Sequence, residues 1–285
     1  MDINTIYNEN CLETMSRMPD EHVDMVLTSP PYDDMRDYEG YDFDFEAIAH
    51  ELFRVLKEGG RVVWIVDHKA VDYDQTLESF RQAIYFKKVG FRFNDLMPWA
   101  KRSKNPRKMI YDKCTEYMFI LSKGEPITFN PIKDVPIVKP GAKAFGKNTK
   151  RKKNGKMQSV KSSDTRNSYG RFATRSNVWN NLTAGQENVC KSSNHPARFG
   201  LGLARDHIYS WSNPGDLVYD PMMGSGTTAR ACIELGRNFI GSEISEKYTN
   251  EANAEIIPLL EASKRQMSLL DPAAMLSAAP SGGTA

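Results

Sequence analysis

Residues 22–28 (HVDMVLT) form an almost continuous apolar run that stops at Ser29-Pro30-Pro31-Tyr32. Two consecutive prolines can neither continue a strand nor enter a helix interior, so the run reads as a buried strand ending in a rigid loop. Residues 45–57 place Ile48, Leu52, Val55 and Leu56 on one helical face, and Gly59-Gly60 is expected to end that helix. The β-branched run at 61–67 (RVVWIVD) has the character of a central strand. A helix is expected over 74–88, ended near Gly90, followed by strands at 93–100 and 115–122 joined in hairpin fashion. Further on come a helix at 203–212, a strand at 217–220, a helix at 227–236, a strand at 238–244 and a helix at 245–262. No internal repeat is found, and the Ala/Ser/Gly/Pro-rich tail from about residue 271 is expected to be disordered. Strands alternating with helices predict an α/β fold, a doubly wound, mostly parallel sheet.

Length and composition agree with one large α/β domain or one domain with an elaborated insertion. The chain has 285 residues, 40% apolar and 26% charged, which excludes fibrous and disordered classes. No apolar stretch is long enough for a transmembrane helix, and MDINTIYNEN lacks the features of a secretory signal. Cys11, Cys114, Cys190 and Cys232 are scattered and form no CxxC pair, so a reducing cytosol is expected and a metal site is not.

Net charge is only +2, but its distribution is uneven. Between Lys139 and Arg175 twelve basic residues face a single acid, Asp164, which leaves the rest of the chain acidic on balance. This is the footprint of a segment that binds a polyanion. The window is rich in Gly, Ser and Asn, so a loop or partly mobile element is expected; a solvated insertion with incidental charge is the plainer alternative.

Two strand-end loops carry candidate chemistry. Asp220-Pro221-Met222-Met223-Gly224-Ser225-Gly226-Thr227-Thr228 follows an apolar strand and opens a helix. Its glycines let the backbone approach a ligand, and the helix start offers N–H groups to an anion. The next strand ends at Glu243, an acid placed to accept from two ribose hydroxyls. The Walker lysine and the third glycine of the dinucleotide fingerprint are both missing, so the pattern points to a nucleoside ligand. A tight turn with an incidental acid is the alternative. In the other loop, a planar amino group can donate to the Pro30 carbonyl and the Ser29 oxygen while Tyr32 stacks on the ring that bears it. Read alone, a proline turn with a packing tyrosine fits as well.

Together, Ser29-Pro30-Pro31-Tyr32 and Asp220 to Thr228 resemble the two motifs of the amino-group DNA methyltransferases that use S-adenosylmethionine (AdoMet). Asn10-Cys11-Leu12-Glu13, Val55-Leu56-Lys57 before Gly59-Gly60, Trp99-Ala100-Lys101 followed by Glu116, and His195-Pro196-Ala197 with Phe199 extend the likeness over about residues 5–260, apart from the basic window. The catalytic motif precedes the cofactor motif, as in the family's beta arrangement, in which the segment between them recognises the target. Three departures stand out: Asn10 where Asp is common, Met222 where an aromatic is common, and Gly200 where a second proline is common.

The resemblance implies a Rossmann-like AdoMet sheet with a basic target-recognition insertion. Residues 1–130 would form the catalytic half, 131–185 the insert, 186–265 the AdoMet half of the same domain and 266–285 a flexible tail. It implies Ser29, Pro30, Pro31 and Tyr32 as catalytic. Asn10, Cys11, Thr28, His195, Pro196, Asp220, Pro221, Met222, Gly224, Gly226, Thr227, Thr228, Glu243 and Ile244 would line the cofactor. Lys147, Lys150, Arg151, Lys152, Lys153, Lys156, Arg171 and Arg175 would meet double-stranded DNA. The reaction implied is methyl transfer to the exocyclic amine of a flipped base, with Ser29 favouring N4 of cytosine over N6 of adenine. A C5-cytosine route is unsupported, since no proline precedes any of the four cysteines. RNA or a protein glutamine as acceptor, and a nucleic-acid-binding protein with a degenerate cofactor fold, are the competing classes. A prokaryotic or phage-host cytosol associated with the nucleoid is the expected location. The resemblance leaves open whether the chain works as a homodimer and whether a cognate restriction endonuclease accompanies it.

Overall fold

The computed structural model describes residues 1–30, 43–101, 111, 113–136, 148–160, 172–180 and 199–269. In chain order the elements begin with β1 (Thr5–Tyr7), α1 (Cys11–Ser16), β2 (Val23–Thr28), α2 (Phe45–Val55) and β3 (Leu56–Val66). A short pair, β4 (Ala70–Val71) and β5 (Asp74–Gln75), precedes α3 (Glu78–Val89), β6 (Arg92–Ala100) and β7 (Thr115–Ser122). Then come β8 (Lys133–Pro136), β9 (Asn148–Arg151), β10 (Met157–Val160) and β11 (Phe172–Thr174). The chain closes with α4 (Leu201–Trp211), β12 (Leu217–Asp220), α5 (Thr227–Leu235), β13 (Asn238–Ser242) and α6 (Glu246–Leu269). It divides into two compact units, Pro131–Ser176 being one and the residues on either side of it the other.

The larger unit holds a seven-stranded sheet in the order β1-β13-β12-β2-β3-β7-β6. The first five strands are parallel and the β3–β7 and β7–β6 pairs antiparallel, as the doubly wound reading requires. Alternation along each strand sorts the side chains onto two faces. Met25, Leu27, Val63, Ile65, Met118, Ile120 and Val218 pack with residues of α4, α5 and α6. Val26, Val62, Trp64, Phe119, Leu121, Tyr219 and Ile240 pack with α1, α2 and α3. Because both faces are covered, the central strands read as continuous apolar runs.

The chain winds away from the sheet centre in opposite directions. From β12 it passes through α5 to β13; from β2 it passes through α2 to β3. The order therefore reverses between β12 and β2, the place where open α/β sheets bind ligands beyond the carboxyl ends of their strands. At the other end Asp24 ties three strands, accepting from Leu217 N–H at 2.9 Å and Lys57 Nζ at 2.7 Å.

Several expectations need correction. Helix α2 ends at Val55, and Gly59-Gly60 lies inside β3. The glycines answer a close approach instead: a Cβ on Gly60 would stand 2.8 Å from the Asp24 carbonyl, and one on Gly59 2.7 Å from Ile127. Helix α3 starts at Glu78, after β5 has taken residues expected to be helical. Strand β1 and helix α1 were not anticipated, being three and six residues long, too short to show a period. Where it is described, the basic window is not loop but antiparallel ribbon, β9 with β10, and β11 with β8. The tail from residue 271 lies outside the described residues. Among those described, no helix is long and apolar enough to cross a membrane.

The α3 side of the core depends on Phe86, which is fully buried and meets Trp64, Phe45 and Phe91 edge-on at 5.1, 5.1 and 5.3 Å. Phe86→Ala is expected to cost about 3–5 kcal/mol through lost burial and an unfilled cavity. Urea unfolding should show a lower midpoint at unchanged slope; a loss under 1 kcal/mol would mean that the aromatic cluster collapses to fill the space.

Candidate active site

The two strand-end loops begin side by side because β2 and β12 are parallel neighbours, with Met25 opposite Val218 and Val26 opposite Tyr219. Thr28 closes one strand and Asp220 the other. Ser29 and Pro30 follow Thr28 directly, Ser29 half-buried and Pro30 buried.

Asp220 is 1% exposed. Its carboxylate accepts from Met222 N–H at 3.0 Å and Thr228 Oγ1 at 2.6 Å, so it fastens the start of the loop to the first turn of α5. Burial pushes this acid up to about 6, although the Thr228 and Met222 hydrogen bonds pull the other way. Gly224 (φ +54°) and Gly226 (φ +85°) take left-handed conformations suited to glycine. A Cβ on Gly226 would also come within 3.1 Å of Ile256 on α6. No side chain caps α5, whose first-turn N–H groups face the loop end of the sheet.

Glu243, just beyond β13, is buried, and its carboxylate spans two backbone groups. Oε2 accepts from Gly224 N–H at 2.8 Å and Oε1 from Ser245 N–H at 3.0 Å. Each carboxylate oxygen has a second lone pair, so ribose hydroxyls can still donate to it. Glu243 thus shapes the glycine loop. Met223 N–H donates to the Ser242 carbonyl at 2.8 Å and Glu243 N–H to the Tyr7 carbonyl at 2.9 Å, which joins the loop ends of β12, β13 and β1. Ile244 belongs to the same brace, its carbonyl accepting from Asn8 Nδ2 at 3.2 Å.

Asn10 caps α1, its Oδ1 accepting from Leu12 N–H at 2.9 Å. That cap can be made by Asn or Asp alike, which gives a physical reading of the departure at this position. Cys11 is buried, and burial pushes its thiol up to about 12, so it stays protonated and is no nucleophile. Pro221 is buried, Met222 is half-buried and packs at the edge of the α1–α3 side of the core, and Thr227 is buried at the start of α5. Pro31, Tyr32, His195, Pro196, Lys147 and Arg171 lie outside the described residues.

Thr28, expected to line the cofactor, and three residues that were not expected, Ser225, Asp67 and Lys113, make or lack contacts of note near the strand ends. Ser225 Oγ and Thr28 Oγ1 are buried and meet no hydrogen-bond partner among the described residues, although the Thr28 hydroxyl is near enough to favour a charged Asp220. The Asp67 carboxylate, beyond the end of β3, pairs with Lys113 Nζ at 2.6 Å, and Lys113 also donates to the His68 carbonyl. Thr28 and the serine between the two glycines stand in or beside the sequence motifs; Asp67 and Lys113 are 46 positions apart.

In the unit Pro131–Ser176, the β9–β10 hairpin turns through Lys152–Lys156, closed by a Lys152 N–H to Lys156 carbonyl bond of 2.8 Å. Arg151, Lys152, Lys153 and Lys156 are exposed. Arg175 Nε donates to Asp134 at 2.9 Å, an ion pair across β11 and β8 that offsets its charge where it stands.

The model of the N6/N4 DNA methylase family matches residues 23–254, most of the described sheet and both loops. The chain belongs to this family. It is similar to the orphan methyltransferase M.BamHII of Bacillus amyloliquefaciens, 44% identical over 238 residues covering 82% of this chain and 88% of that one. It is also similar to the type II methyltransferase M.BglII of Bacillus subtilis, 26% identical over 88% of this chain and 68% of that one. Among solved structures, the cytosine-N4-specific PvuII DNA methyltransferase aligns with a TM-score of 0.64 at 20% identity, covering 92% of this chain and 91% of that one. M1.HpyAVI in complex with SAM aligns with a TM-score of 0.56 at 23% identity, covering 88% and 98%. The protein is an AdoMet-dependent DNA amino-methyltransferase.

The loops suit that cofactor. Two glycines admit close backbone approach, an uncapped helix start can meet a carboxylate, and two buried hydroxyls have bonding capacity left for a polar ligand.

The raised pKa of Asp220 has a checkable consequence. Between about pH 4, the unfolded value, and about 6, the folded protein keeps a proton that the unfolded chain has released. This group's contribution to stability is therefore full below about pH 4 and is lost as pH rises through 6, by up to about 3 kcal/mol. Asp220→Asn removes the titration. From pH 4 to 7 urea unfolding should move the variant's stability relative to wild type in the variant's favour by up to that amount; parallel profiles would show that Asp220 titrates in the folded protein as it does in the unfolded chain.

Proposed function

We propose that the chain transfers the AdoMet methyl group to the N4 amine of a cytosine flipped out of duplex DNA. The observation that carries this reading is the placement of Ser29-Pro30 at the end of β2, beside the β12 loop. The chemistry then follows from the residues. An exocyclic amine is a weak nucleophile because its lone pair is delocalised into the ring. The Ser29 hydroxyl oxygen and the Pro30 carbonyl each accept one amine hydrogen, pull the nitrogen toward a tetrahedral shape and expose the lone pair. AdoMet supplies an electrophilic methyl on a sulfonium, so no covalent enzyme intermediate is needed. Positioning and fixed dipoles supply most of the rate. A neutral hydroxyl does not keep the displaced proton, which passes to water. Tyr32 stacks on the flipped base, repaying part of the unstacking cost. Ser29 rather than a carboxylate favours cosubstrate cytosine over adenine.

On the cofactor side, Gly224, Gly226 and the start of α5 take the backbone-contacting role, and Glu243 accepts from the ribose. Lys150, Arg151, Lys152, Lys153 and Lys156 track the phosphates, with Lys147 and Arg171 in the same role. Residues 1–130 and 186–265 then act as the two halves of one catalytic domain, with 131–185 as the target-recognition insert.

DNA from a host expressing the chain, digested to nucleosides and analysed by mass spectrometry, should contain N4-methylcytosine that is absent with Ser29→Ala. N6-methyladenine in its place would assign the base to adenine, and neither product would remove the amine as acceptor.

The hairpin charges give a second expectation. If they neutralise phosphates, log affinity for a duplex falls by about 0.9 per log unit of salt for each one. Neutralising Lys150, Arg151, Lys152 and Lys153 together should flatten that slope by up to about 3–4 units while AdoMet affinity stays the same. An unchanged slope in the quadruple variant would leave these side chains in solvent.

A further inference from the structure

Beneath the cofactor loops runs a line of buried hydroxyls for which the transfer chemistry has no use. Tyr219, Ser242 and Thr14 are each fully buried. Tyr219 Oη lies 2.8 Å from Ser242 Oγ, Ser242 Oγ 2.8 Å from Thr14 Oγ1, and Thr14 Oγ1 2.6 Å from Glu9 Oε1. Arg17 closes the line at the surface, donating to both Glu9 oxygens.

The direction of these bonds is fixed by proton count. Glu9 is ionised: burial alone would raise its carboxyl, but the bonds from Arg17 and Thr14 hold it below the ordinary value. A carboxylate can only accept, so Thr14 gives its single proton to Glu9, Ser242 gives its own to Thr14, and Tyr219 must donate to Ser242. Bonds aligned in one direction polarise one another and strengthen the whole line in a low-dielectric interior.

The members stand at telling places in the chain. Tyr219 immediately precedes Asp220, Ser242 precedes Glu243, Glu9 precedes Asn10, and Thr14 sits on the helix that Asn10 caps. Each strand-end segment on the nucleoside side of the site is thus held from below, one residue from its acid or cap. The backbone brace between Met223 and Ser242 and between Glu243 and Tyr7 lies on the same strand ends.

We propose that Tyr219, Ser242, Thr14 and Glu9 are positioning residues for AdoMet: the hydroxyl line sets the spacing of the loops after β1, β12 and β13, and so the affinity of the nucleoside site, from a charge pair at the surface. The inference rests on the reading that AdoMet lies on the loops after β12 and β13. Breaking the line should weaken AdoMet without touching the DNA side.

Calorimetric titration with AdoMet, steady-state methylation and thermal melting test it together. Thr14→Val and Ser242→Ala should each raise the AdoMet Kd about tenfold, the order of one buried group left without its partner. The KM for DNA should stay within twofold. Thr14→Ser, which keeps the hydroxyl, should restore AdoMet affinity to within twofold of wild type. The double variant Thr14→Val/Ser242→Ala should bind AdoMet little worse than either single one, because a line once broken has no more to lose. Glu9→Gln works from the solvent end and keeps the test alive if a buried variant does not fold; it too should weaken AdoMet severalfold. AdoMet Kd values within twofold of wild type in all these variants, with lowered melting points, would make the line a purely structural feature and overturn the proposal. So would effects that multiply in the double variant. Glu243→Ala in the same titrations separates the two failures: if it too leaves AdoMet affinity unchanged, the nucleoside lies elsewhere and the reading of the site has failed first.

Discussion

One strand pair holds the active site together. Val218 and Tyr219 of β12 lie against Met25 and Val26 of β2, residues nearly 200 positions away in the chain. Neither loop can assemble a site alone, since one carries acceptors suited to an amine and the other the glycine turn. Parallel pairing of non-consecutive strands is entropically costly and slow to form. It is sustained because both strands are buried on both faces and because Asp24 fixes their far ends through Leu217 and Lys57. A slip of one residue would send Tyr219 and Asp220 to opposite faces and dismantle the site.

On that frame the loop after β12 is built to be rigid before any ligand arrives. Asp220 is desolvated and spends its oxygens on Met222 and Thr228, while Glu243 spends one lone pair per oxygen on Gly224 and Ser245. Both acids cost free energy to bury. In return the glycine turn and the start of α5 are preset, so that binding orders little that was not ordered already. Preorganisation of this kind is what a transfer without a covalent intermediate requires.

Much of this was legible in the sequence, for stated reasons. The strands β2, β3, β7 and β12 were visible as apolar runs because their two-sided burial allows no polar alternation. The two loops were visible because proline and glycine leave marks that no other residue leaves. The glycines at 59 and 60 were misread because the same residue type serves both as a helix stop and as a gap for a close neighbour; only the position of Ile127 and Asp24 decides between them. The hairpin β9–β10 was hidden by its polarity, as its ribbon has no apolar face to give a period of two. The bracing of the glycine loop by Glu243 was not foreseen, since its partners there are backbone N–H groups that every residue carries. The pair Asp67–Lys113 and the line from Tyr219 to Glu9 join residues from distant parts of the chain, a kind of contact that only the folded sheet reveals.

The charge distribution adds a constraint on how such a site meets its substrate. A chain of net charge +2 has little overall attraction for a polyanion. Twelve basic residues between 139 and 175, against an acidic remainder, concentrate the positive charge in one stretch of the sequence. A local excess of positive charge attracts a polyanion even where the net charge is small. Phosphate contacts position a protein without reading sequence. Selection of the target base then falls to groups that see base edges. Those demands differ from those on the nucleoside side, where the same cofactor is met at every turnover. In the proposed reading, the internally bonded loop after β12 and the compact basic unit answer two different recognition problems in one chain.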